Sequence, residues 1–241
     1  MTITDKTILV TGANRGLGQA LVDEALRRGA KRVYAASRQP LAHPDERVTP
    51  VIMDVTDWEQ IQRAVEGVDS LDILINNAGV SLPDDMSSRA AFKQHFDVNL
   101  YGPLMVTQAL LPSLTQSRGR IVNVISIGAF AAVPILPAYS ASKAAAFSVT
   151  QSQRALLGSQ GVKVHAVLPG PIDTDMIRDL PIPKTSPELV ARAIFDGVEN
   201  GDEEIFPDPL SDLQAASWRI GAAKELERQN AALVPAEPIA A

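Results

Sequence analysis

The sequence predicts an α/β fold, a doubly wound parallel sheet of about seven strands with helices on both faces. Three observations carry this expectation. Short, continuously apolar runs alternate with segments whose apolar residues recur at helical spacing, the pattern of strands buried on both faces and the helices that cover them. A glycine-rich turn, Thr11-Gly12-Ala13-Asn14-Arg15-Gly16-Leu17-Gly18, joins the first such run to the first such helix. Several runs end in turn-forming residues, as in Asn76-Asn77-Ala78-Gly79 and Pro169-Gly170-Pro171, at the carboxyl edge where sheets of this kind collect ligands.

Taken in order, Thr7 to Val10 is the first strand, and Leu17, Leu21 and Ala25 mark a helix that Gly29 closes. Arg32 to Ala36 gives the second strand and Val51 to Met53 the third, leading into Asp54. Thr56-Asp57-Trp58-Glu59 fits a capping box at the next helix start. Leu71 to Ile75 is the fourth strand, Arg89 to Leu114 one long helix, either continuous or interrupted, and Ile121 to Ile125 the fifth strand. A helix carrying Tyr139 and Lys143 runs to about Leu157, and Val162 to Leu168 is the sixth strand. Residues 175–186 hold two prolines and no period, as expected of a loop over a site. Ser186-Pro187 opens a helix to about Val198 by N-cap serine and first-turn proline. Glu204 to Phe206 is a seventh strand, and Leu210 to about Leu233 a last helical stretch, containing Trp218, that is expected to pack over the pocket or against another subunit. Residues 234–241, rich in alanine and proline, are expected to be disordered. No repeat or linker divides the 241 residues, so one domain is expected.

A net charge of -6 offers no basic stripe for phosphates, which argues against nucleic-acid or anionic-membrane partners. The absence of cysteine excludes disulfides, thiolate catalysis and cysteine-metal sites. Apolar runs are interrupted well before the ~18 residues of a membrane span, and MTITDKTILV has no basic region followed by a long apolar core. A soluble, cytoplasmic protein is expected. His43, His95 and His165 are scattered and read as surface or satisfied strand histidines, so no metal site is expected.

Tyr139 and Lys143 lie four positions apart in an alanine-rich segment, which places phenol and ammonium one turn apart on one helix face. At roughly 5 Å and an effective dielectric of about 20, the charge is worth about 3 kcal/mol, or roughly two pKa units. The phenol is therefore expected to titrate closer to neutrality, where acid-base chemistry is efficient.

The ordered set TGxxxGxG, NNAG, an upstream serine and YxxxK resembles the short-chain dehydrogenase/reductase family over about residues 6–175. The resemblance implies a Rossmann-like fold and a nicotinamide cofactor. It also implies that Tyr139 exchanges a proton with the substrate oxygen, while Lys143 lowers the tyrosine pKa and holds the ribose. Ser126, thirteen positions before Tyr139, matches the serine that hydrogen-bonds that oxygen. Asn99 matches the asparagine that bends its helix and holds a relay water; without the family it would read as a surface residue or a kink. Gly12, Asn14, Arg15, Gly16, Leu17 and Gly18 match the pyrophosphate turn, while Asn77, Ala78 and Gly79 match the segment beside the adenosine ribose. Asp54 and Val55 match the adenine pair, and Pro169, Gly170, Ile172 and Thr174 the segment that holds the carboxamide.

Where a dinucleotide fold selecting NAD places a carboxylate, this chain has Ser37-Arg38, and Arg15 could reach the same point. Convergence of two arginines predicts NADP(H). Ser126, Ile127, Tyr139 and Met176 are expected to contact substrate, with Phe130, Val133, Ile135, Leu136 and Ile177 completing an apolar pocket for a neutral ketone, aldehyde or alcohol. Two other functions fit the fold: a lyase such as a halohydrin dehalogenase, disfavoured by Lys143 in place of arginine, and a non-catalytic dinucleotide sensor or scaffold. Family analogy implies a homodimer or homotetramer, although Pro207-Asp208-Pro209 replaces the usual glycine-rich ending.

Overall fold

The computed structural model describes residues 1–234. Its strands are β1 (Thr7–Thr11), β2 (Arg32–Ser37), β3 (Val48–Ile52), β4 (Ile73–Asn76), β5 (Arg120–Val124), β6 (Lys163–Val167) and β7 (Glu204–Ile205). They form one seven-stranded sheet in the order β3-β2-β1-β4-β5-β6-β7, and every pairing is parallel. The order reverses between β1 and β4, which opens a crevice at their carboxyl ends. The predicted tail, residues 235–241 of it, lies outside the described residues.

Every residue of β1 and β4 is buried, because helices cover both faces of these central strands. On one face α1 (Gly16–Arg27) and α6 (Pro187–Asn200) pack through Leu21, Ala25, Ile194 and Phe195. On the other, α2 (Trp58–Glu66), α4 (Gly102–Ser117) and α5 (Pro137–Gly158) cover Leu9, Leu74 and Ile121. A smaller cluster at the far edge joins Ile125, Phe147 and Leu168 to Phe130, Phe206 and Trp218. There Trp218 stacks on Phe130 at 4.6 Å between centroids, so it packs behind the loop after β5 within this cluster.

The edge strand β3 begins three residues before the predicted run. Its alternating burial hides Val48 and leaves Ile52 open, so half of it is not apolar in sequence. Asp57, not Thr56, caps α2: its carboxylate accepts from Gln60 N at 3.0 Å, while the Gln60 side chain bonds Asp57 and the Asp54 backbone. The long helix is broken as α3 (Arg89–Phe96), a π-helical turn (Asp97–Tyr101) and α4, with Asn99 in the turn. The last helical stretch also divides, into α7 (Pro209–Arg219) and α8 (Ala222–Ala231). Gly221 makes the corner, since a Cβ there would stand 2.7 Å from the Ser217 carbonyl oxygen.

Candidate active site

The glycine turn is folded tightly onto the end of β4. Gly12 and Gly16 adopt φ of +64° and +53°, which disfavours any other residue. A Cβ on Gly18 would lie 2.0 Å from the Gly12 carbonyl oxygen, so only glycine lets the helix start this close to the strand. Thr11 Oγ1 accepts from the backbone N–H groups of Asn77 and Ala78, each at 3.0 Å, and the Asn77 amide donates to the carbonyls of Thr11 and Gly12. Arg15 occupies the N-cap of α1 without a side-chain cap bond, unlike Asp57, Ser88, Ser186 and Asp208 at the starts of α2, α3, α6 and α7. The first-turn N–H groups of α1 therefore remain free to receive an anion, as a pyrophosphate cradle requires. Leu17 is buried in the core, which leaves its backbone to face the crevice, and Asn14 is exposed.

Around this cradle, Ser37 is buried and its hydroxyl donates to Gln39 O at 2.6 Å, while Arg38 is exposed at the end of β2. Arg15, the second arginine of the NADP(H) expectation, is exposed as well. Its guanidinium turns across the crevice and pairs with Asp175 at 3.0 Å, because that carboxylate is within reach. Asp54 accepts from the Thr56 backbone and hydroxyl, and Val55 packs on Gly102, whose added Cβ would lie 2.8 Å from Val55 Cγ2. Pro169 O accepts from Ile127 N, and Gly170 N donates to Asp208 Oδ2 at 2.7 Å. Ile172 bridges to Thr185, and Thr174 lies against Gly16. Met176 is exposed on a short 3-10 turn.

Tyr139, Ser126, Lys143 and Asn99 are brought together by β5, α5 and the π-helical turn. Ser126 stands in extended backbone just past β5, where its Oγ accepts from Gly128 N at 3.0 Å and its hydroxyl lies near enough to the Tyr139 phenol to act on its titration. Lys143 is buried; its Nζ donates to Val124 O at 2.9 Å and lies 5.8 Å from the Tyr139 ring centroid. Asn99 is buried, with Oδ1 accepting from Val80 N and Nδ2 donating to Val80 O and Ser142 Oγ. Ser142 Oγ in turn donates to Tyr139 O at 2.7 Å. The π-helical turn thus turns Asn99 inward, away from the surface position its helix pattern suggests. A Cβ on Gly79 would lie 3.3 Å from Asn99 Oδ1 and 3.7 Å from Lys143 Nζ, so this glycine keeps the space in front of the pair open.

The electrostatics differ from the sequence expectation. Burial pushes the Tyr139 phenol up from its ordinary value, and the neighbouring Ser126 hydroxyl pulls it partly back. Burial pushes Lys143 down to about 8. The ammonium sits over the ring face, bound to a carbonyl, and desolvation acts against the charged form of both groups. Mutual attraction does not dominate in this geometry.

Four contributors escaped the sequence reading. His95, expected as a surface or satisfied strand histidine, is fully buried on a helix: Nδ1 contacts Ala91 O at 2.7 Å, Nε2 accepts from Leu82 N at 3.0 Å, and the ring stands edge-on to Tyr139. Asp84 Oδ2 accepts from Ala138 N at 3.2 Å, which caps α5 from outside beside Tyr139. Asp208 holds Gly170, and Asp175 holds Arg15. His95 lies one helical turn before Asn99, and that spacing was the one available signal. Phe130 belongs to the aromatic cluster and Ile127 packs against it, so the apolar pocket expected from residues 127–136 is only partly realised. Val133 and Ile135 are exposed.

Among the described residues one acidic trio has metal-like spacing, Glu203, Glu204 and Glu227. Lys224 Nζ stands among them at 2.7, 2.9 and 3.0 Å, which makes it an ion-pair cluster. No helix among the described residues is long and apolar enough to cross a membrane.

A family model described as short chain dehydrogenase matches residues 6–184. An uncharacterized oxidoreductase of Staphylococcus saprophyticus is 35% identical over 193 residues, 73% of this chain and 82% of that protein. A second, from Staphylococcus aureus, is 35% identical over 187 residues, 71% of this chain and 80% of its own. The crystal structure of a short chain dehydrogenase from Burkholderia cenocepacia in complex with NADP superposes with a TM-score of 0.86 at 36% identity, covering 98% of this chain and 100% of that one. At 22% identity, a short-chain dehydrogenase from Streptomyces avermitilis shares the fold, with a TM-score of 0.78 over 94% of this chain and 99% of its own. With a family match over most of its length, and with the glycine cradle and the Ser126–Tyr139–Lys143 cluster at one crevice, the chain belongs to the short-chain dehydrogenase family of oxidoreductases.

Proposed function

We propose that the protein is an NADP(H)-dependent oxidoreductase that interconverts a ketone or aldehyde with its alcohol. The observation that carries this reading is the cluster at the carboxyl edge of the sheet in which Tyr139 stands beside Ser126 with the Lys143 ammonium over its ring, at the same edge as the glycine cradle. The free N–H groups at the start of α1 would hold the pyrophosphate, and Lys143 the nicotinamide ribose. Arg15 and Arg38 would hold the 2′-phosphate, for which no carboxylate at the end of β2 competes. The relative from Burkholderia cenocepacia, solved with NADP, supports the phosphorylated cofactor. When bound, the nicotinamide supplies or accepts the hydride.

The chain's own residues handle the proton. Because burial keeps the Tyr139 phenol protonated across the neutral range, it is poised as a donor to a carbonyl oxygen as negative charge develops there. Ser126 Oγ, fixed by Gly128 N, offers a second hydrogen bond to the same oxygen and thereby orients it. Lys143, still largely protonated at pH 7 with its pKa near 8, lies close enough to stabilise the phenolate left behind. Asn99 fixes the backbone of α5 through Ser142, which keeps the Tyr139 carbonyl and ring in place. Met176 and the rest of residues 175–186 would close over a small neutral substrate. By analogy with the family the protein is a cytoplasmic homodimer or homotetramer.

Measured with a panel of ketones and aldehydes, Tyr139→Phe is expected to lower kcat/KM by roughly 10²–10⁴-fold while the Kd for NADPH changes by less than about twofold. An active phenylalanine variant would remove Tyr139 from the proton step. Wild-type protein that binds NADPH and oxidises it with no member of the panel would instead favour a dinucleotide sensor.

A further inference from the structure

Arg15 and Asp175 stand on opposite lips of the crevice, one in the glycine turn and one in the loop after β6. Nη1 of Arg15 donates to Oδ2 of Asp175 at 3.0 Å. The other carboxylate oxygen accepts from Arg178, so Asp175 is shared between a guanidinium of the facing lip and one of its own loop. Beside this pair, Gly16 lies against Thr174, where an added Cβ would meet Thr174 Cγ2 at 3.1 Å. The lips therefore touch at two adjoining points, and only the ion pair carries charge. Lys184 Nζ donates to Arg178 O, which ties the remainder of the loop to the same corner.

We propose that Asp175 is a specificity-determining residue that competes with the 2′-phosphate of the cofactor for Arg15, so that a phosphorylated dinucleotide releases the loop from the glycine turn. The inference rests on the reading that Arg15 serves that phosphate. A phosphate dianion offers the planar guanidinium a paired, charge-assisted contact stronger than the single-oxygen contact Asp175 makes. The side chains of Arg15 and Asp175 are 67% and 43% exposed, so their pair is held weakly, by roughly 1.5- to 5-fold in an equilibrium. That factor is the handicap imposed on NADPH. NADH has no group to exchange for Asp175 and is not subject to it. A ligand that takes Arg15 leaves Asp175 to Arg178 alone, and the loop moves free of the turn.

Equilibrium titration of nicotinamide fluorescence, without substrate, tests the competition. Asp175→Asn is expected to tighten NADPH by about two- to fivefold and to leave NADH unchanged. Arg178→Gln, which gives Asp175 wholly to Arg15, is expected to weaken NADPH modestly. In an Arg15→Gln background neither substitution is expected to matter. As a second readout, trypsin cleavage after Lys184 in the wild type should accelerate with adenosine 2′,5′-bisphosphate and not with adenosine 5′-monophosphate, whereas Asp175→Asn should be cleaved fast with either. Equal effects of Asp175→Asn on NADPH and NADH, or none on either, would overturn the proposal if Arg15→Gln still weakens NADPH selectively. Should Arg15→Gln leave the preference between NADPH and NADH unmoved, the assignment of Arg15 to the phosphate fails, and this inference falls with it.

Discussion

Burial and hydrogen bonding act on Tyr139 and Lys143 in ways that spacing alone does not reveal. The phenol is raised by desolvation and the ammonium lowered to about 8, so the neutral form of each is favoured by its surroundings. For Lys143 this has a measurable consequence in the protein without ligand. Its folded pKa lies below the unfolded value of 10.5, so the unfolded chain binds more protons between those values. Stability from this group is fully present above pH 10.5 and is lost as pH falls to about 8, a difference of roughly 3 kcal/mol. Denaturant titrations from pH 7.5 to 10 should show this rising component in the wild type and not in Lys143→Met. Identical slopes for the two proteins would exclude a strongly shifted lysine. Residue identity was legible here, since YxxxK and the upstream Ser126 mark the cluster. The sign of the tyrosine shift was not, because it depends on how completely the folded chain removes water from both groups.

At the scale of elements, the start of α5 is built by other segments. Its N-cap, Leu136, provides no side-chain bond, and the carboxylate of Asp84 reaches Ala138 N from the segment after β4. His95 on α3 holds the same segment through Leu82 N and sets its ring against Tyr139. Asp84→Ala should therefore cost about 1 kcal/mol of stability, as for loss of a helix cap, and lower kcat more than it weakens NADPH binding. His95→Phe keeps an aromatic edge and removes the acceptor, leaving Leu82 N without its partner, at a cost of about 1–3 kcal/mol. His95→Gln, which can restore the acceptor, should recover most of the lost kcat. If both His95 variants lost kcat equally while thermal unfolding stayed at wild-type values, the acceptor would not be what positions Tyr139. The sequence marked the helix from Arg89, since its apolar period is strong, and left its interruption open. That Asn99 faces inward became visible only with the π-helical turn that carries it, and that His95 does so only with the Leu82 backbone its ring meets.

For the molecule as a whole, the sheet order brings together residues far apart in the chain. At the amino edge His165 is buried beside Arg120, with Nδ1 on Asp202 O. Burial first, offset in part by that carbonyl and reinforced by the charges of Arg120, Arg154 and Lys163, lowers it to about 4. Since the folded value lies below the unfolded 6.5, stability from this group is present above pH 6.5 and is lost as pH falls to about 4, by roughly 3 kcal/mol. Urea midpoints of wild type and His165→Gln should converge as pH falls through that window; parallel curves would show that His165 is not held neutral. The strand-helix alternation, the glycine cradle and the candidate proton-transfer residues could be named from the sequence alone, because apolar period, glycine spacing and YxxxK are local properties of the chain. Tertiary structure alone decided that Arg15 meets Asp175, that Trp218 joins the aromatic cluster, that His95 backs Tyr139, and that burial outweighs the neighbouring charge. Each of these depends on which distant surfaces the parallel sheet and its covering helices bring into contact, and on the water they exclude there.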